Sequence, residues 1–397
     1  MKKLIILAAI AATALASCAK TDNLYKSTGQ GDAVSFGAYT LRTPVSRSGG
    51  EAGPQTLAKL GKTAGPGFGV FCFYSDNSNG ATTNDYAAGT PSNFVPNFMW
   101  NQQVKGNGNG TADPTAWSYE PVKYWPNEYT GSVTDQGIDK LTFFAYAPWV
   151  DATAATGLVG SETEGITAVS SNALTPSGDP TLTYVIPADV ADHVDVLYAD
   201  ATSLKNLTKP AGNTAVSFPF KHALTSVVFR VQTYIDSQNN TGNLNDQGYD
   251  VDTHTTVTLK EVYFGGTLAP SGVLNLATGA WTPAAGASAT YSKTGLSQTV
   301  TKTKADVTGI EPITLIPQAS ATYNVRVVYD VVTTDGNLSA GSSTVTNDIK
   351  NTVTMTLQAG KRNIIDLVLG LYTVKVTASV ADWEDADAVE VDLPANN

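Results

Sequence analysis

Three histidines, His193, His222 and His254, are the only side chains of the 397 whose ordinary pKa lies near neutrality. They stand in ADHVDVLYAD, FKHALTS and DTHTTVT, at the edges of candidate strands. A Ser-His-Asp hydrolase needs a nucleophile held beside its base, and no G-x-S-x-G elbow exists in the chain. His193 has Asp192 and Asp195 nearby, but no second histidine stands at metal-ligand spacing. Leu60-Gly61-Lys62-Thr63 ends like a phosphate loop, yet Thr56 occupies the position where the first glycine belongs. Asn243–Gly248 has the turn glycine of a calcium loop without its carboxylates, and His254 falls where the closing glutamate belongs. The acidic run Ala381–Asp387 reads as a solvated turn. Cys72, inside FGVFCFY, has no base beside it in sequence and reads as a small buried apolar residue. These residues point to no enzyme, no cofactor and no metal centre.

The pattern that does specify chemistry is at the amino terminus. MKKLIILAAIAATALASC has two lysines, an apolar run from Leu4 and a small-residue site before cysteine. The run is shorter than the ~20 residues that cross a bilayer. Leu15-Ala16-Ser17-Cys18 is similar to a bacterial lipoprotein signal, cut by a lipoprotein signal peptidase and lipidated on Cys18. No later stretch reaches 18 consecutive apolar residues, so lipid is the expected membrane attachment. With Cys18 acylated, Cys72 is left without a disulfide partner within the chain. A polar spacer leads to a candidate strand, Ala33–Leu41, with Val34, Phe36 and Ala38 on one face. Arg42-Thr43-Pro44 and Arg47-Ser48-Gly49-Gly50 follow, two arginines in a segment of small and turn-forming residues where proteolysis concentrates.

Hydrophobic residues make up 42%, ample for large cores, and the charged share is only 15% against about 25% for typical soluble domains. The polar remainder is Thr, Ser, Asn and Gly, which suits strands and turns. A net charge of −11 disfavours nucleic acid, whose phosphates reward clustered cations. The length suggests two domains.

The elements that must position any site read as short strands. Phe68–Tyr74, Trp117–Asn127, Lys140–Val150, Thr181–Pro187 and Asp195–Asp200 precede a polar candidate linker, Lys205–Thr214. One long β pattern, Val216–Tyr234, alternates at Ala223, Thr225, Val227, Phe229 and Val231. Thr255–Gly266, Gly272–Leu276, Ile313–Pro317, Tyr323–Val332, Asn351–Leu357, Asn363–Leu369, Tyr372–Trp383 and Ala388–Leu393 follow. Only LAKLGK near Leu57 suggests a helical turn, and Asp151–Pro180 reads as an insertion. The expected fold is all-β, two sandwiches on either side of residue ~210.

Trp125-Pro126-Asn127, LTFFAYAPW (141–149), DVLYAD (195–200), FPFKHALTSVVFRV (218–231) and a terminal VADW (380–383) give the chain its family likeness. In that order, behind the lipobox and SFGAYTLR, the sequence resembles the fimbrillin family of Bacteroidales. The resemblance implies a type V pilin: two tandem transthyretin-like, Greek-key β-sandwiches, exported as a lipoprotein to the outer membrane and cell surface. It implies removal of the first strand by an arginine-specific protease and strand exchange with neighbouring pilin subunits, in a fimbrium used for adhesion to a host or bacterial surface ligand. Carried over, Cys18 is the lipidated residue and Arg47 the cleavage site, with Arg42 second. Val34, Phe36 and Ala38 mark the displaced strand, and Val374, Val376, Val380 and Trp383 the candidate donor strand. The implied organisation is a leader at 1–17, a lipidated pro-segment at 18–47 and sandwiches at 48–210 and 211–397. Stalk, tip and anchor subunits share this fold; a cleaved stalk or tip subunit fits better than an uncleaved anchor. The alternative is a non-polymerising surface lipoprotein that stacks glycans on Trp100, Trp117, Trp125 or Trp149, although tryptophans in alternating strands belong more often to a core.

Overall fold

A computed structural model describes residues 33–40, 57–75, 85–86, 94–109, 114–126, 139–152, 164–169, 178–210, 214–233, 255–334, 338–371 and 374–383. In chain order the strands are β1 (Phe36–Thr40), β2 (Phe68–Ser75), β3 (Met99–Gly106), β4 (Trp117–Ser118), β5 (Lys140–Ala147), β6 (Gly165–Val169), β7 (Thr181–Val185), β8 (Leu197–Ala199) and β9 (Val216–His222). Then come β10 (Thr225–Thr233), β11 (Thr255–Leu268), β12 (Ser271–Asn275), β13 (Trp281–Pro283), β14 (Ala287–Lys293), β15 (Gln298–Val300) and β16 (Ala305–Asp306). The last are β17 (Ile313–Leu315), β18 (Gln318–Thr334), β19 (Ser342–Leu357), β20 (Lys361–Leu369) and β21 (Val374–Asp382). One helical turn, α1 (Leu57–Leu60), precedes β2. The expected all-β architecture is the observed one.

The first sheet has seven strands in the order β1-β9-β8-β5-β2-β3-β4. Its central strands are apolar on both faces because both faces are covered. Phe68, Val70 and Cys72 of β2 enter one core, while Phe71 and Phe73 enter another. Cys72 is fully buried, and desolvation pushes its thiol well above the usual range, so it packs as a hydrophobe.

A sheet ordered β16-β10-β20-β21, with β17 also on β10, faces one ordered β14-β11-β18-β19, with β15 on β11. The interior is built from alternating residues such as Val227, Phe229, Ile365 and Leu367 on one side and Leu259, Phe264, Val325 and Tyr329 on the other. β10 and β20 run parallel over eight pairs, and across them Arg230 grips Asp366 through two hydrogen bonds of 2.8 and 3.0 Å.

A fourth sheet, β13-β12-β7-β6, joins strands from distant parts of the chain. β7 pairs antiparallel with β12 through five residues, Thr181↔Asn275 to Val185↔Ser271. β6 lies inside the expected insertion at 151–180, so part of that segment is structural. Of the expected strand Trp117–Asn127, the described residues 117–126 form only the two-residue β4 and a bridge at Tyr124, since Pro121 and Pro126 lack ladder donors.

The long pattern at 216–234 is two strands. β9 stays in the first sheet, Ala223 and Leu224 are buried at the junction, and β10 opens the next sheet. The change of sheet therefore comes one strand after residues 210 and 211. Lys205–Thr214 has a linker's composition, yet Leu207 exchanges two backbone hydrogen bonds with Leu141, each 2.8 Å.

Candidate functional site

β1 is the edge strand of the seven-stranded sheet, and residues 41–56 separate it in sequence from α1. It pairs parallel with β9 from Phe36↔Val216 to Thr40↔Phe220. Just before it, the Val216 N–H donates to Ser35 O at 2.8 Å and the Val34 N–H donates to Lys123 O at 2.9 Å. The Tyr119 hydroxyl donates to Val34 O at 2.8 Å, and burial raises that phenol to about 12. Gly37 is crowded by its partner, since a Cβ there would stand 3.2 Å from Ser217 Oγ.

The side chains alternate as the sequence indicates. Val34 and Phe36 are buried (2% and 5% exposed), Ala38 packs against the same core, and Tyr39 points outward, 46% exposed. Phe36 sits among Tyr119, Phe143 and Phe218, with ring centroids 5.0, 5.9 and 5.4 Å away. The three come from the β4 region, β5 and β9, so one side chain seals the joint between three segments. Burying a valine and a phenylalanine contributes on the order of 4 kcal/mol. Without β1, the slot would present five residues of unpaired β9 backbone beside an aromatic hollow. A second depression of about 310 Å³, lined by Tyr39, Trp125, Leu204, Leu207, Pro210 and Val216, flanks the start of β9.

At the other end of the chain, β21 pairs antiparallel with β20 through nine residues, Leu369↔Val374 to Lys361↔Asp382. Among the candidate donor residues, Val374 and Trp383 are buried, Val376 packs at the margin of the core, and Val380 is 50% exposed. Asn347 and Asn351 of β19 donate to Leu371 O and Val374 O at 2.9 and 3.1 Å, closing the sandwich at the start of β21. The displaced-strand and donor-strand residues thus lie in two different sheets.

Cys18, Arg42 and Arg47 lie outside the described residues, as does His254. His193 is buried, its Nε2–H donating to Pro187 O and its Nδ1 accepting from the Thr314 N–H, both at 3.0 Å. Desolvation lowers its pKa, so it is a neutral structural ring. The Nδ1–H of His222 donates to the buried Asp195 at 2.6 Å. Among the described residues, neither ring hydrogen-bonds a side-chain hydroxyl or thiol. The tryptophans are packed: Trp125 is 3% exposed, Trp117 lies 4.8 Å from Phe68, Trp149 Nε1–H donates to Asn101 O at 3.0 Å and Trp100 packs at the core margin. Among the described residues, no group of three His, Cys, Asp or Glu is arranged to hold a metal ion, and no helix is long and apolar enough to cross a membrane.

A family model described as fimbrillin-like matches residues 61–383, from just before β2 to the residue after β21. The chain belongs to the fimbrillin-like family. Fimbrium subunit Fim1C of Phocaeicola vulgatus is 24% identical over 421 residues, covering 98% of each chain. The crystal structure of a fimbrial protein from Bacteroides vulgatus shares the fold, with a TM-score of 0.63 and 20% identity over 89% of this chain and 99% of that one. Within this fimbrillin-like chain, the residues the sequence did not single out are the rings around Phe36: Tyr119, Phe143 and Phe218. Each lies in an aromatic stretch (WSYEP, LTFFAY, FPFK), and that density was the available signal. Convergence on one side chain depends on long-range pairing, which density alone does not reveal.

Proposed function

We propose that this chain is a structural subunit of a surface fimbria, assembled with neighbouring subunits by strand exchange and used in adhesion. Export as a lipoprotein on Cys18 brings it to the outer membrane. An arginine-specific protease then cuts after Arg47, or after Arg42, and releases the segment that carries β1. Membership of the fimbrillin-like family and the near full-length similarity to a fimbrium subunit support the role. The observation that carries the mechanism is the seating of β1. It is a short edge strand, remote in sequence from β9, whose Phe36, with Val34 just before the strand, plugs an aromatic hollow.

Removing such a strand leaves backbone donors, acceptors and apolar surface that a neighbour's strand can satisfy together. The donor comes from the carboxy-terminal segment that begins at Val374. Its nine-pair ladder and buried Trp383 favour retention of β21, so the stretch beyond it, where Val389, Val391 and Leu393 alternate with acidic residues, supplies the exchanged contacts.

The test is the amino-terminal residue of protein taken from the cell surface, read by mass spectrometry together with the size distribution of intact polymers. A mature chain starting at Ser48, with a ladder of high-mass species lost in Arg47→Ala, is expected. A chain starting at acylated Cys18 with no ladder would sink the polymerising role and favour an anchor.

A further inference from the structure

β9 has an attachment at each end of its seven residues. Along Val216–Phe220 it carries β1. At its last residue, the His222 ring lies flat on the indole of Trp383, with centroids 4.8 Å apart and planes 10° from parallel. The imidazole is fixed from behind, because its Nδ1–H donates to the fully buried Asp195. Trp383 is fixed from its own side. Its backbone N–H donates to Gly360 O at 3.1 Å, and the Gly360 N–H donates to Leu224 O at 2.8 Å, two residues after β9 ends. The indole is 3% exposed although it ends an edge strand whose middle is open to solvent. β21 is therefore pinned at Val374 and Trp383, and the second pin stands on the strand that holds β1.

We infer that the His222–Trp383 stack couples the seating of the first strand to that of the last. When β1 leaves, β9 loses five backbone pairs and the packing of Phe36 on Phe218, and its edge is free to twist. The His222 end stays paired to β8, so the twist shifts the ring against Asp195 and, with it, the surface on which Trp383 rests. Coupling of this kind is reciprocal, so loosening β21 loosens β1 by the same free energy. An empty slot thereby prepares the carboxy-terminal end for its neighbour, and an occupied slot locks it. The biological meaning rests on the proposed strand exchange; the coupling itself is a property of the uncleaved chain.

Hydrogen exchange read by mass spectrometry on the full chain tests it. In Trp383→Ala, amides of both β21 and β1 are expected to exchange about tenfold faster, with those of β2 and β5 unchanged, and His222→Ala should behave alike. Phe36→Ala should accelerate β1 and β21 in the parent chain, but only β1 when Trp383 is already alanine. Faster exchange in β21 with β1 at the parental rate in Trp383→Ala overturns the coupling. Should Trp383→Ala not fold, Trp383→Phe keeps a ring on His222, and a response confined to β21 overturns it equally. Retention of β1 in surface-derived protein would refute strand exchange while leaving these exchange rates as they are.

Discussion

β1 and β21 are both edge strands near the ends of the described chain, and they are held by opposite means. β1 has five ladder pairs and relies on side chains, with Val34 and Phe36 driven into a core made by other segments. β21 has nine ladder pairs and relies on backbone, since its middle residues are exposed or marginal and only its ends are buried. Losing the first opens a hydrophobic hollow, and losing the second mainly bares an edge. A strand meant to be exchanged should leave behind a need that a replacement can meet, and β1 has that character.

The largest effect is expected in the aromatic wall that receives Phe36. Phe218→Ala removes a fully buried ring that touches Phe36, Phe68 and Phe143, and should cost about 4 kcal/mol in denaturant unfolding. Phe36→Ala deletes the other side of the same contact and should cost less, about 3 kcal/mol. Its loss is capped by the free energy of undocking β1, after which the remainder stays folded. A larger effect for Phe36 than for Phe218 would mean that β1 is integral and not removable. At β21, Val380→Thr should change stability by less than about 0.5 kcal/mol, because half of the side chain is already in water. A value near that of Phe36 would erase the distinction between the two strands.

His193 adds a pH-dependent term away from both strands. Burial lowers its folded pKa below the unfolded value of about 6.5, so the unfolded chain binds the proton more readily. Its contribution to stability is therefore present above the unfolded value and is lost as the pH falls through the folded one. Protonation also removes the acceptor for the Thr314 N–H. The slope of melting temperature against pH on the acid side of 6.5 should flatten in His193→Gln, measured by calorimetry.

Much of β1 was legible. Alternation placed Val34, Phe36 and Ala38 on one face, and Pro44 with the glycines after Arg47 marked the end of a strand. Its partner was not legible, because β9 lies about 180 residues away and a parallel pairing leaves no local trace. The junction at Ala223 and Leu224 was hidden for a related reason. Ala223 to Val227 are all buried, so no polar break marks the change of sheet and two strands read as one. The shared sheet was equally hidden, since Thr181–Val185 and Ser271–Asn275 each look like ordinary hairpin strands. Trp383 was visible as a terminal aromatic, but nothing near it in sequence points to His222.

The fourth sheet has a mechanical consequence. Five ladder pairs join β7 to β12, the Trp281 indole N–H donates to Ala223 O at 2.7 Å, and the Thr314 N–H reaches His193. A subunit stitched across its middle in this way does not hinge there when pulled. A filament of such subunits would draw its compliance from the joints between them, and under the proposed strand exchange its bending stiffness would follow from how tightly each slot grips its strand.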